Sequence, residues 1–212
     1  LVGSEMCIRD RILSLNTITV LLDKNRLQDA ERLISKYPGS SPDLVFQQGA
    51  LAFLKKDYSL AQKLFREAAR RASETTAENA LFNENLAALN ANDASGAAAL
   101  IKEASGSSRL RESILFEQAH YAAKRMAPQA AELLANFITL AETPALKTQA
   151  RLDQVEVALN LNPPDLETVQ AILPLLEKEQ LSPEQTMQLA RLNILEAESR
   201  QEWPNAIQSC RR

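Results

Sequence analysis

Residues 47–69 read QQGALAFLKKDYSLAQKLFREAA, and Gly49 sits inside what otherwise reads as an unbroken helix. Ala61, Phe65 and Ala68 follow it at 12, 16 and 19 residues. Lys56-Asp57 marks a tight turn between them, so the spacing predicts two helices, 42–55 and 58–72, folded back on one another. Antiparallel helices that pack closely need one partner to present almost no side chain at the crossing. Gly49 supplies that gap at a cost of about 1 kcal/mol in helix propensity. Ala61 and Ala68 are expected to flank the gap on the second helix, with Phe65 filling the space towards the next pair.

Outward from this pair, apolar residues recur at three and four throughout, with no run of period-two alternation. Punctuation comes about every fifteen residues. In Tyr37-Pro38-Gly39-Ser40-Ser41-Pro42, Ser41 can cap the next helix and Pro42 suits its first position. Thr143-Pro144 and Ser182-Pro183 repeat the device, and Gln185 can complete a capping box with Ser182. Asp165 caps the helix after Asn162-Pro163-Pro164, and Asn92-Asp93 marks another tight turn. Twelve helices are expected, near 11–23, 27–36, 42–55, 58–72, 76–91, 94–104, 108–124, 127–141, 144–160, 166–179, 183–199 and 203–212.

The pairs repeat. A small residue opens the second helix of each at Ala30, Ala61, Ala97, Ala130, Val169 and Ala206, at intervals of 31, 36, 33, 39 and 37 residues. Four residues after each come Ile34, Phe65, Ile101, Leu134, Leu173 and Cys210, and three further on Tyr37, Ala68, Ala104, Phe137 and Leu176. This pattern resembles the tetratricopeptide repeat, a 34-residue helix-turn-helix unit, with its best match at residues 42–75 through Gly49, Tyr58, Ala61, Phe65 and Ala68. The resemblance covers about residues 11–212, specific in the first four units and blurred in the last two. Leu152, Val155 and Leu159 fit only if the Pro163-Pro164 turn holds an inserted residue, and Pro174 departs from the pattern inside its helix. The units without glycine carry Ile18, Asn85, Gln118 and Ile194 at the equivalent place, so their helices should sit farther apart or cross at another angle. The fold class expected from the resemblance is all-α, a right-handed solenoid of five to six helix hairpins, with residues 1–10 a non-native or disordered leader. LVGSEMCIRDR opens on Leu and is similar to translated adapter sequence, and Cys210 would occupy an interior position of the last helix. A fragment of a longer array is therefore expected, and the compartment stays open.

Composition sets limits on function. Apolar content of 45%, charged content of 24% and a net charge of −3 provide no basic excess of the kind nucleic acid or an anionic membrane would require. The two cysteines, Cys7 and Cys210, form no metal spacing and no disulfide framework. There is no Walker loop, dinucleotide fingerprint or nucleophile elbow. No catalytic residue, metal or cofactor is expected.

In tetratricopeptide arrays the first helices of successive units line a concave groove, commonly the peptide-binding surface. The resemblance assigns to it Asp43, Phe46, Gln47, Ala50, Phe53 and Leu54, then Asn79, Phe82, Asn83, Leu86, Leu89 and Asn90, then Glu112, Leu115, Phe116, Ala119, Ala122 and Ala123. Asn79, Asn83 and Asn90 share one helical face, and their amides offer donors and acceptors to an extended backbone. Phe46, Phe53, Phe82 and Phe116 would supply side-chain pockets; the alternative is that these rings are core. The cationic clamp that chaperone-type members use for a C-terminal carboxylate is not expected here. His120 reads as a packed or surface residue without a positioned partner, and Arg66, Arg70, Arg71 and Lys63 as a solvated face. The expected function is recognition of a partner protein or peptide by a pre-formed groove. A helical arm of a larger enzyme or secretion machine is the alternative, and end-to-end self-association a third.

Overall fold

Helix ends, more than helix interiors, set the spacing of this chain. Ser41, with Pro42 behind it, accepts a hydrogen bond from the Leu44 amide and starts a helix. Asp57, Asp93 and Asp165 do the same through the Leu60, Gly96 and Thr168 amides, at 3.1, 2.9 and 3.1 Å. Ser182 and Gln185 form a complete capping box. The computed structural model describes residues 2–37 and 41–200, with side chains from residue 13 onward. It contains eleven α-helices among those residues and no strand. They are α1 (Val2–Asp23), α2 (Leu27–Ser35), α3 (Pro42–Leu54), α4 (Tyr58–Arg71), α5 (Glu74–Asn90), α6 (Ala94–Glu103), α7 (Ser108–Lys124), α8 (Ala130–Leu140), α9 (Pro144–Leu159), α10 (Leu166–Leu176) and α11 (Pro183–Ser199). The protein is all-α. The expected twelfth helix, Ala206 and Cys210 lie outside the described residues, as does the side chain of Cys7.

The closing of the odd-numbered helices repeats more strictly than their cores. Asn25, Lys56, Asn92 and Met126 all have positive φ, between 50° and 64°, each two residues past the end of its helix. The next amide in each case reaches five residues back: Arg26 to Leu21, Asp57 to Ala52, Asp93 to Ala88 and Ala127 to Ala122. Each positive-φ residue itself donates three residues back, to Leu22, Phe53, Leu89 and Ala123. This is the Schellman closure, which satisfies carbonyls that the end of a helix would leave bare. The same turn is thus stamped four times, at intervals of 31, 36 and 34 residues. The end of α9 departs from it, with a cis Asn162-Pro163 bond and the Asp165 amide reaching back to Ala158.

The chain falls into two compact units, Leu1–Ile114 and Leu115–Arg212, with the boundary inside α7. In the first, α1 packs on α2 and α3, α3 on α4 and α5, α4 on α5, and α5 on α6. In the second, α9 packs on α8, α10 and α11, and α10 on α11. Ala30, Gly49, Ala61, Phe65, Ala68, Ala97, Ala104 and Ala130 are all buried. Gly49 meets Phe65 directly: a Cβ built on the glycine would lie 2.9 Å from two atoms of the ring. The gap opposite Gly49 is therefore filled by Phe65 itself, where the sequence spacing placed that ring towards the next pair. In the sixth helix the core position is Leu100, one residue before Ile101, which is only half-buried. Pro174 sits in the last turn of α10 and is exposed, as is Gln170, whose carbonyl loses an amide partner to the proline.

Candidate functional site

Close packing of α3 on α4 leaves an opening elsewhere in the first unit. A hollow of about 290 Å³ is lined by Thr19, Leu22 and Asp23 of α1, Phe46, Gln47, Ala50, Phe53 and Leu54 of α3, Phe65 of α4 and Asn83 of α5. Its aromatic walls are fixed by edge-on ring contacts. Phe46 meets Phe65 with ring centroids 5.3 Å apart at 60°, and Phe53 meets Tyr58 at 5.3 Å and 66°. Gln47 ties two helices together by donating from Nε2 to Thr19 Oγ1 at 3.0 Å. Leu54 remains 41% exposed at the edge, so apolar surface is presented to solvent.

Of the residues assigned to the groove, Phe46, Gln47, Phe53 and Asn83 come together in this hollow, with Ala50 and Leu54. The others do not. Phe82 packs against Leu100, Ala104, Leu110 and Ile114. Phe116 is buried in the second unit, stacked on His120 and tilted against Phe137. Its ring is core, because the helical face that carries it turns inward at α8. Asn79 and Asn90 lie outside the lining. Asn83 Nδ2 donates to the Asn79 carbonyl and Asn90 Nδ2 to the Leu86 carbonyl, both at 2.8 Å. The amide face thus spends donors on its own helix, and the expected ladder of three asparagines reduces to Asn83. Thr19, Leu22, Asp23 and Phe65 complete the hollow; the four-residue register leading from Leu15 through Thr19 to Asp23 was the available signal.

Two polar clusters lie in the packing. In the first unit Arg66 bonds Glu84 at 2.7 Å and also Glu103, joining α4 to α5 and α6. Arg66 is therefore a buried-pair partner and not part of a solvated basic face; Arg71 pairs with Glu67. Glu84 is buried, and burial pushes its carboxyl up to about 7 against the pull of the Arg66 charge. Its Oε2 has no hydrogen-bond partner among the described residues. In the second unit His120 Nδ1 lies 2.5 Å from Oδ2 of Asp153, which is 1% exposed, with Lys124 Nζ 3.7 Å from the other oxygen. His120 thus has the positioned partner that the sequence did not reveal. The hydrogen bond to Asp153 raises the imidazole above its ordinary value, outweighing burial. Glu156, nearby on α9, is held below the usual carboxylate range: burial opposes this, and bonds from Arg191 and Lys124 prevail.

No group of three or more His, Cys, Asp or Glu among the described residues could hold a metal ion. No helix among them is long and apolar enough to cross a membrane. Comparison with family models, with curated proteins and with solved structures finds no match to this chain.

Proposed function

We propose that the chain is a tetratricopeptide-like array of stacked helix hairpins that binds a partner protein or peptide in the hollow of its first unit. The observation that carries this reading is the hollow itself, bounded by three successive odd-numbered helices, α1, α3 and α5, together with the ring of Phe65. The four recurring Schellman closures and the packing of consecutive helices from α1 to α6 and from α8 to α11 support the hairpin array. Mechanically, such a site is pre-formed: Gly49 against Phe65 and Gln47 against Thr19 hold its walls before any partner arrives. A partner segment then loses mainly its own conformational freedom on docking. Phe46 and Phe53 offer rigid apolar contact area, and Gln47 and Asn83 offer polar anchoring at the same wall.

Selection of a random heptapeptide library displayed on phage against the chain tests this. Enriched peptides should share a motif and should lose binding to Leu54→Arg, a change at an exposed edge that leaves the core intact. A selection that yields no common motif, or peptides that bind wild type and Leu54→Arg equally, removes the hollow as the docking site.

A further inference from the structure

We infer that the hollow between α1, α3 and α5 receives an arginine side chain of the partner segment, with Asp23 as its counter-charge; this rests on the hollow being the docking site. The polar groups around it are unequally spent. The Thr19 hydroxyl donates to the Leu15 carbonyl at 3.1 Å and accepts from Gln47 Nε2. Asn83 Nδ2 donates to the Asn79 carbonyl. One N–H remains on each of these two amides, and beside them stand the acceptors Gln47 Oε1, Asn83 Oδ1 and the Asp23 carboxylate, the one full charge in the set. Acceptors outnumber the remaining donors, so a ligand rich in N–H groups suits the set, and guanidinium is such a group.

Charge points the same way. Asp23 is the only ionisable residue in the lining, is exposed, and makes no ion pair among the described residues. Arg26, three residues on, is bonded to Asp29. Asp23 is also the last residue of α1, at the negative end of the helix dipole. A carboxylate there weakens the helix that it ends and strengthens any cation site beside it. The lining adds the half-buried rings of Phe46 and Phe53, and aromatic rings attract cations. Guanidinium suits the combination better than ammonium, because it stacks on rings, forks onto paired acceptors and is less strongly hydrated. The volume of about 290 Å³ sits at the lower end of small-ligand pockets (roughly 300–1,000 Å³) and is sized for a side chain.

The test uses the full chain, ¹⁵N-labelled, titrated with capped peptides of sequence Ser-Leu-X-Leu-Ser in which X is arginine, lysine, norleucine or glutamate. The arginine peptide is expected to shift the Gln47 and Asn83 side-chain amides and to bind about tenfold tighter than the norleucine peptide, with lysine between them. Asp23→Asn should abolish most of that preference, and raising salt should weaken the arginine and lysine peptides and leave the norleucine peptide unchanged. Norleucine or glutamate binding as tightly as arginine, or an arginine preference that survives Asp23→Asn, overturns the inference and leaves the docking reading standing. If no peptide moves those amides, both fall together.

Discussion

The helix trio α3, α4 and α5 and the trio α9, α10 and α11 are both built from three consecutive helices, and they are filled by opposite means. In the first the core is made mainly of small residues, Gly49, Ala52, Ala61, Ala68, Ala80 and Ala87, with Val45, around one large ring, Phe65. In the second it is made of Leu152, Val155, Leu159, Val169, Leu173, Leu176, Leu189 and Leu192, with Ala158 the one small residue among them. Small residues let the backbones of α3, α4 and α5 approach closely, and the filling then depends on one side chain. Aliphatic residues of middling size hold α9, α10 and α11 apart and share the filling among many. The first arrangement gives rigid walls with a hollow beside them; the second gives a continuous core. Sensitivity to substitution should follow this division.

Phe65→Ala gives the sharpest contrast. It removes a 1%-exposed ring that touches Gly49 and Phe46, and a loss of about 3–5 kcal/mol is expected. Leu173→Ala in the second unit, at a position 9% exposed among eight other buried apolar residues, should cost about 2–3 kcal/mol. Hydrogen exchange should show the Phe65 variant opening α3, α4 and α5 and leaving α9–α11 protected. Equal losses, or opening spread over both units, would break the comparison.

The polar clusters differ in kind as well. Glu84 titrates near 7 in the folded chain because burial disfavours its charge, while in the unfolded chain it titrates near ~4.3. Between those values the folded state holds a proton that the unfolded state has released. Its contribution is fully present below the unfolded value and declines as pH rises through 7. Arg66→Ala removes the partner of the charged form, so a loss of about 2–3 kcal/mol is expected at pH 8 and under ~1 kcal/mol at pH 5. Glu84→Gln should flatten the dependence between pH 5 and 7. Denaturant melts at pH 5, 6.5 and 8 read both, and an Arg66→Ala cost independent of pH would show that Glu84 is not the group concerned.

His120 works the other way round, as a charged form that is favoured. Its folded value is raised by the bond to Asp153, so its contribution is fully present below about 6.5, the unfolded value, and is lost as pH rises through the folded value. His120→Gln should cost about 1–2 kcal/mol at pH 6, since it weakens a charged hydrogen bond to a buried carboxylate that Lys124 still faces. The cost should shrink above pH 8. Exchange protection lost in α7 and α9 would locate the effect; a constant cost across pH would mean that the pair is held by shape and not by charge.

What the sequence made legible in these regions was steric and local. Gly49, Ala61 and Ala68 stand out because only small residues permit close helices, and Ser41, Asp165 and the Ser182–Gln185 pair because caps act within four residues. The Schellman closures stayed hidden because Lys56 and Met126 occupy a conformation for which glycine would be the signal. His120 and Asp153 are 33 residues apart on different helices, and no periodicity joins them. Phe116 was assigned to the groove because a helical face alone does not say whether its neighbour is solvent or another helix; Phe137 of α8 decides it. Asp23 carried no mark either, since a carboxylate at a helix end acquires meaning only when Phe46, Phe53 and Asn83 are seen beside it.

The smallest expected effect tests the contact on which the first trio turns. Gly49→Ala should gain up to about 1 kcal/mol from helix propensity. It also places a methyl 2.9 Å from a ring that cannot swing away, because Phe46 holds its edge and Phe65 is itself buried. Overpacking of this kind costs roughly 1–3 kcal/mol, so a net loss near ~1 kcal/mol is expected. Phe65→Leu makes room, and in that background Gly49→Ala should become neutral or stabilising, a coupling of about 1–2 kcal/mol in a double-mutant cycle. Simple additivity of the two changes would mean that the helices can slide apart at no cost. Gly49 would then be a tolerated glycine, and the rigidity attributed to the walls of the hollow would lose its physical cause.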